Sequence, residues 1–312
     1  MPPLLSLIIG LVILTFGAEL LVRGAAAMAL RLGLTSLVVG LTVVAFGTSA
    51  PELVVSLQAA QRDAAEIAVG NVIGSNLCNL ALILGICALI RPLTTSHSVI
   101  WREVPILIVV TLIATAALAN SYLSRVEGYG LVAGLLVYTA ITIIRARQDP
   151  NQSLGDDTPK SLGLGWAIGF TVAGLIGLIY GSDLFVAGAV ELALMWGWSE
   201  AMIGLTIVAI GTSLPELTIS VIAVKNNETD VAIGNLVGSS LFNLLGILGA
   251  TAIASGGIAL SLQPIDLGVL VVLTIALWPL VQSGHRIDRR EGTFLLFAYL
   301  AYATWLFTAR YS

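Results

Sequence analysis

GTSAPE, residues 47–52, interrupts an apolar run with two hydroxyls, a proline and a carboxylate, and it returns as GTSLPE at residues 211–216. The likeness extends outward from both copies. GLTVVAFGTSAPEL (40–53) parallels GLTIVAIGTSLPEL (204–217), and GNVIGSNLCNL (70–80) parallels GNLVGSSLFNL (234–244). Each pair is displaced by 164 positions, and the same displacement relates Gly17 to Gly181, Glu19 to Asp183, Gly24 to Gly188, Ser56 to Ser220 and Glu66 to Asp230. One displacement held across three apolar segments identifies a structural repeat.

With 57% apolar and only 10% charged residues, the 312-residue chain reads as an integral membrane protein whose main partner is the lipid bilayer. A net charge of −4 without clustered Lys and Arg excludes a nucleic-acid partner. Cys78 and Cys87 lie nine residues apart in one apolar segment, beyond disulfide reach on a helix. The opening stretch lacks a basic n-region and is too long for a signal peptide, so it is expected to be a retained first span.

Spans of about 20 residues are predicted near 4–22, 34–60, 67–90, 104–120, 129–144, 162–188, 200–224, 231–254, 266–283 and 292–308. The polar stretch RARQDPNQSLGDDTPK (145–160) separates two halves. The expected organisation is a first five-helix repeat over 1–144, a cytoplasmic linker over 145–161 and a second repeat over 162–312. Cytoplasmic connectors are enriched in Lys and Arg. With both termini outside, eleven basic residues (Arg23, Arg31, Arg91, Arg102, Arg145, Arg147, Lys160, Lys225, Arg286, Arg289 and Arg290) fall inside, and Arg62, Arg125 and Arg310 fall outside. Five spans per half is an odd number, so the second half enters from the opposite face. The fold expected is therefore all-α, with ten transmembrane helices in two inverted five-helix repeats and broken helices 2 and 7. Such repeats point to a secondary transporter with its site near the midplane.

Pro51 and Pro215 lack an N–H and crowd the carbonyls of Gly47 and Gly211, which opens the helical ladder. The carbonyls of Ala45 to Thr48 and of Ala209 to Thr212 are expected to be freed, and such backbone is tolerated only where it packs in protein or lines a cavity. Beside them stand the hydroxyls of Thr48, Ser49, Thr212 and Ser213 and the carboxylates of Glu52 and Glu216. These hard oxygens suit Ca²⁺ and Na⁺. In the second motif, Gly70 with Gly74 and Gly234 with Gly238 offer faces for close helix approach, while Ser75, Asn79, Ser239 and Asn243 follow at spacing four. A carboxylate inside a membrane costs about 2.5–3.5 kcal/mol, which favours a functional reading of Glu52 and Glu216. Blander readings hold elsewhere: Glu19 can pair with Arg23, Glu66 and Asp230 begin helices, His97 and His285 sit in polar connectors, and Trp101, Trp166, Trp196, Trp198 and Trp305 suit the membrane interface.

The paired GTSAPE and GTSLPE blocks, with GNVIGSNLCN and GNLVGSSLFN, resemble the alpha repeats of the Ca²⁺/cation antiporter superfamily, in particular the prokaryotic sodium/calcium exchangers. The resemblance covers nearly the whole chain, with alpha motifs at 40–80 and 204–244. It implies a central ion site on helices 2, 3, 7 and 8 and a sliding pair of helices 1 and 6. Glu52 and Glu216 with the Thr48 and Thr212 backbone oxygens would hold Ca²⁺. Ala45, Ser49, Ser75, Ala209, Ser213 and Ser239 would flank them as Na⁺ sites, with Asn79 and Asn243 at the centre. It implies an antiporter, not an enzyme, with no cofactor and no inferred protein partner, exchanging Ca²⁺ for Na⁺ by alternating access. Some relatives carry aspartate where this chain has Asn243, which implies exchange without K⁺. Two rival readings are a Ca²⁺/H⁺ exchanger, whose GNxxE-like block Ile73 and Val237 do not match, and a passive cation channel, which usually needs rings around an oligomer axis.

Overall fold

The computed structural model describes residues 1–32, 35–61, 65–148, 163–196, 209–259 and 264–311. Most of the expected linker and residues 197–208, at the head of the expected seventh span, lie outside the described residues. The fold is all-α. Helix α1 (Pro3–Leu32) runs past its expected end because Arg23 pairs with Glu19 one turn back, Nε to Oε1 at 2.6 Å, and so does not stop it. The next segment is divided into α2 (Ser36–Val39), a π-helical turn π1 (Gly40–Val44), α3 (Ala45–Thr48) and α4 (Ala50–Gln61). Its two parts, 37–48 and 50–61, bend by 42°. Then come α5 (Ala65–Leu77), π2 (Cys78–Ile83), α6 (Leu84–Ile90), β1 (Leu93–Thr94), π3 (Val99–Glu103), α7 (Val104–Leu118), β2 (Tyr122–Leu123), α8 (Arg125–Gln148) and α9 (Leu164–Met195). The remainder comprises α10 (Ala209–Thr212), α11 (Leu214–Lys225), α12 (Thr229–Leu241), π4 (Phe242–Ile247), α13 (Leu248–Ser255), β3 (Ile258–Ala259), α14 (Pro264–Gln282), β4 (Arg286–Ile287) and α15 (Arg289–Tyr311). Among the described residues seven stretches are long and apolar enough to cross a membrane, and the bent pair makes an eighth.

The repeat reappears as matched local structure. Turns π2 and π4 stand 164 residues apart. So do two capping boxes, in which a side chain and a glutamate satisfy each other's orphan N–H groups. At α8, Ser124 Oγ accepts the Glu127 N–H and Glu127 Oε2 accepts the Ser124 N–H. At α15, Asp288 Oδ1 accepts the Glu291 N–H and Glu291 Oε2 accepts the Asp288 N–H.

The chain forms two compact units, residues 1–51 with 138–235 and residues 52–137 with 236–312, so each draws on both sequence halves. In the first unit α1 packs along α9 on a glycine seam. A Cβ at Gly10 would come within 2.9 Å of the Gly181 carbonyl, one at Gly17 within 3.0 Å of Gly177, and one at Gly24 within 2.6 Å of the Thr171 nitrogen. Ascending α1 therefore descends α9. These helices are repeat counterparts, and their antiparallel packing is what an inverted repeat requires. Arg23 shares Glu19 with Asn226, whose Nδ2 donates to Glu19 Oε2 at 3.1 Å, which fits the structural reading of that carboxylate.

In the second unit α6 packs on α15, where a Cβ at Gly85 would meet the Gly292 carbonyl at 2.9 Å, and α8 approaches α13 at Gly128 and Gly249. Two antiparallel strand pairs join connectors from the two sequence halves: Leu93 faces Ile287 in one, and Leu123 faces Ile258 in the other. Among the described residues a Cβ at Gly70 or Gly74 would meet nothing within 4 Å, and the 201–205 segment that repeat symmetry sets opposite Gly70 lies outside them. In the first unit Gly234 does provide the expected close approach, with the Leu37 carbonyl at 2.6 Å. Both cysteines are buried and neither forms a disulfide among the described residues. His97, His285, Trp101, Trp166 and Trp196 are exposed, as solvated and interfacial side chains should be, while Trp198 lies outside the described residues.

Candidate functional site

Both GTS–PE blocks stop a helix at the serine. Ser49 has φ −84° and ψ 8°, and Ser213 has φ −90° and ψ 8°, the sparsely populated bridge region where the helical ladder ends. Pro51 and Pro215 are the second residues of α4 and α11. There a missing N–H is one of the groups that would have no helical partner anyway. The prolines thus start new helices and do not merely kink continuous ones. The Ala45 carbonyl is not freed as expected: it accepts the Ser49 N–H at 3.1 Å. In the second block the Ser213 N–H turns back only three residues, to the Ile210 carbonyl at 3.1 Å. Thr212 is half-buried, and Ala209 belongs to α10 with its side chain outside the described set. Glu52 and Glu216 fall in the first turns of α4 and α11, each only 1% exposed. The positive end of each helix dipole favours an anionic side chain there.

Within the first unit the structure brings Thr48, Ser49, Glu216, Ser220 and Asn235 together. Ser49 Oγ donates to Glu216 Oε1 at 3.0 Å. Thr48 Oγ1 donates to Asn235 Oδ1 at 3.0 Å. The Asn235 Nδ2 group donates to Ser220 Oγ at 3.1 Å and reaches the Glu216 carbonyl at 3.5 Å. Ser213 is buried in the same unit.

The second unit holds Glu52 in a matching frame. Asn71 Nδ2 donates to the Glu52 carbonyl at 3.2 Å and to Ser56 Oγ at 3.0 Å, and Ser56 Oγ donates to the Ala68 carbonyl at 3.2 Å. Ser75, Asn79, Ser239 and Asn243 are buried in this unit as well. Asn79 and Asn243 occupy the widened turns π2 and π4, whose i→i+5 bonds run from the Leu84 N–H to the Asn79 carbonyl and from the Leu248 N–H to the Asn243 carbonyl. Among the described residues, Asn79 Oδ1 and both amide atoms of Asn243 are buried without a hydrogen-bond partner. Leaving such groups unsatisfied costs about 1–3 kcal/mol each. A bound cation would relieve the oxygens.

Sequence reasoning assigned no role to Asn71, Asn235, Ser56 or Ser220. The signal was present, because the GN dipeptide recurs at the repeat displacement. No cluster of three or more His, Cys, Asp or Glu forms among the described residues, and what the structure gathers around the helix breaks is hydroxyls, amides and separate carboxylates. That chemistry serves hard cations and not thiophilic metals.

Residues 3–144 and 166–308 match the sequence model of a family described as sodium/calcium exchanger protein. The chain is 38% identical to a putative antiporter, CaxA, of Alkalimonas amylolytica, covering 97% of this chain and 98% of that one. It is 30% identical to the sodium/calcium exchanger MaX1 of Methanosarcina acetivorans, covering 97% and 98% respectively. The fold superposes on the solved sodium-calcium exchanger NCX_Mj, soaked with zero Na⁺ and Ca²⁺, with a TM-score of 0.86 at 29% identity, over 98% of this chain and all of the other.

Proposed function

The chain belongs to the sodium/calcium exchanger family, a family of membrane antiporters, and we propose that it exchanges Ca²⁺ for Na⁺ by alternating access, electrogenically and without K⁺. The observation that carries this reading is the burial of Glu52 and Glu216 at the starts of two helices, inside an otherwise apolar all-α membrane fold and close to hydroxyl and amide groups. Two carboxylates balance one Ca²⁺, and the same oxygens can serve Na⁺ once Ca²⁺ has left. Taking the empty, doubly charged carboxylates through the low-dielectric transition would carry a large desolvation cost, whereas the ion-loaded form is close to neutral. That difference forces exchange in place of leak.

The ligand set we assign is Glu52, Glu216 and the main-chain oxygens of Thr48 and Thr212 for Ca²⁺. Ala45, Ser49, Ser75, Ala209, Ser213 and Ser239 are assigned to Na⁺, with Asn79 and Asn243 central. We place both termini outside the cytoplasm and residues 145–161 inside, on the distribution of basic residues. We set the repeat boundaries at 144 and 162, on either side of the polar stretch RARQDPNQSLGDDTPK (145–160).

The test is ⁴⁵Ca²⁺ uptake by proteoliposomes under Na⁺, K⁺ and H⁺ gradients imposed one at a time. Uptake driven by an outward Na⁺ gradient alone is the expected result. Uptake that follows only the H⁺ gradient would replace this reading with Ca²⁺/H⁺ exchange.

A further inference from the structure

We propose that Asn235 is a positioning residue for ion exchange, its amide joining the Thr48 hydroxyl to the Glu216 main chain so that the two helix breaks respond to an ion as one piece. The inference rests on the reading of Glu216 as an ion ligand. Asn235 is fully buried on α12. Its Oδ1 accepts from Thr48 at 3.0 Å, and its Nδ2 donates to Ser220 at 3.1 Å and reaches the Glu216 carbonyl at 3.5 Å. Ser49, the residue after Thr48, donates to the Glu216 carboxylate at 3.0 Å.

These contacts close a ring. It runs from the Thr48 hydroxyl through the Asn235 amide to the Glu216 main chain, on to the Glu216 carboxylate and the Ser49 hydroxyl, and back through one peptide bond. A primary amide suits the position because it accepts and donates on one planar group. Aspartate would lose the donor, and alanine would lose both. Packing independent of the ring already holds α12 against the 37–41 segment, since a Cβ at Gly234 would lie 2.6 Å from the Leu37 carbonyl and 3.1 Å from the Gly40 Cα. The ring is therefore free to set the orientation of Glu216 relative to Thr48 without being what assembles the helices.

The experiment compares full-length wild type, Asn235→Ala, Thr48→Val, Thr48→Ser, the Asn235→Ala/Thr48→Val double variant and Glu216→Gln in Na⁺-driven ⁴⁵Ca²⁺ uptake, normalised to folded protein. Thr48→Val keeps the main-chain oxygen and the branched shape while removing the hydroxyl. Asn235→Ala and Thr48→Val should each raise the half-saturating Ca²⁺ concentration about tenfold, equivalent to about 1.4 kcal/mol, with little change in maximal rate. The double variant should be no worse than Asn235→Ala alone, because coupled residues are non-additive. Thr48→Ser, which retains the hydroxyl, should shift the half-saturating concentration much less than Thr48→Val does. Unmoved half-saturation in Thr48→Val, or additive effects in the double variant, overturns the proposal. If Asn235→Ala does not fold, the Thr48→Val and Thr48→Ser pair decides alone. Active Glu216→Gln would instead remove the ligand reading beneath it, whereas inactive Glu216→Gln beside an unshifted Thr48→Val removes only the role of Asn235.

Discussion

The Ser49 hydroxyl of the first repeat donates to the Glu216 carboxylate of the second at 3.0 Å. Hydrogen bonds to charged groups contribute about 1.5–3 kcal/mol. Ser49→Ala should therefore weaken apparent Ca²⁺ affinity by roughly 10- to 100-fold while leaving the protein folded. Concentration dependence of uptake, with monodispersity as the folding control, checks it; an unchanged half-saturation would count against an ion at Glu216.

Glu52→Gln and Glu216→Gln should each abolish Ca²⁺ transport. The amide keeps the shape and removes half of the negative charge that balances the ion. Both variants should remain monodisperse, with stability equal to or above wild type, because an intramembrane charge has been removed. Wild-type exchange by either one at subsaturating Ca²⁺ would refute the assignment.

Transport should respond to membrane potential. If more than two Na⁺ exchange for each Ca²⁺, net charge moves in every cycle, and 100 mV biases it by about 2.3 kcal/mol per charge. A valinomycin-imposed K⁺ diffusion potential should change the initial rate severalfold, and indifference to it would show electroneutral exchange.

Replacing all K⁺ by choline should leave wild-type exchange intact, since the Asn243 amide carries no charge to balance an extra monovalent ion. Asn243→Asp should add sensitivity to pH or K⁺, because like charges in a low-dielectric site raise one another's pKa. A variant with wild-type pH and K⁺ profiles would place residue 243 outside the ion pathway.

The glycine seam predicts a contrast between positions on α1 and α9. Gly24→Ala would push a methyl to 2.6 Å from the Thr171 nitrogen, whereas Gly169→Ala meets nothing within 4 Å among the described residues. The first should lower the melting temperature and the transport rate, by about 1–3 kcal/mol of overpacking cost. The second should match wild type. Scanning fluorimetry in detergent separates them, and equal melting temperatures would mean that the helices can part without cost.

The repeat, the helix breaks and the buried carboxylates were legible because each leaves a mark in residue type: a shared displacement, a proline in an apolar run, a charge where charge is expensive. The π-helical turns holding Asn79 and Asn243 were not. A π turn differs from an α turn by one residue of hydrogen-bond register, which no residue type specifies. The clasp formed by Asn235 escaped for a different reason. Its partner Thr48 lies 187 residues away, and only the fold brings them within 3.0 Å. Gly70 and Gly74 differ from Gly234 in that no close approach to them falls among the described residues, because 201–205, the repeat counterpart of the 37–41 segment that Gly234 packs on, lies outside them.

The seam between α1 and α9 also sets an order of events during synthesis. Helix Pro3–Leu32 finds its mate only after Leu164–Met195 has been made. Until then Gly10, Gly17 and Gly24 have no backbone to lie against. Strand Leu93–Thr94 waits longer still, for Arg286–Ile287. A chain whose closest contacts join its beginning to its second half cannot complete its fold span by span as it is inserted. Assembly must follow insertion, with loosely associated helices as the state on which quality control acts.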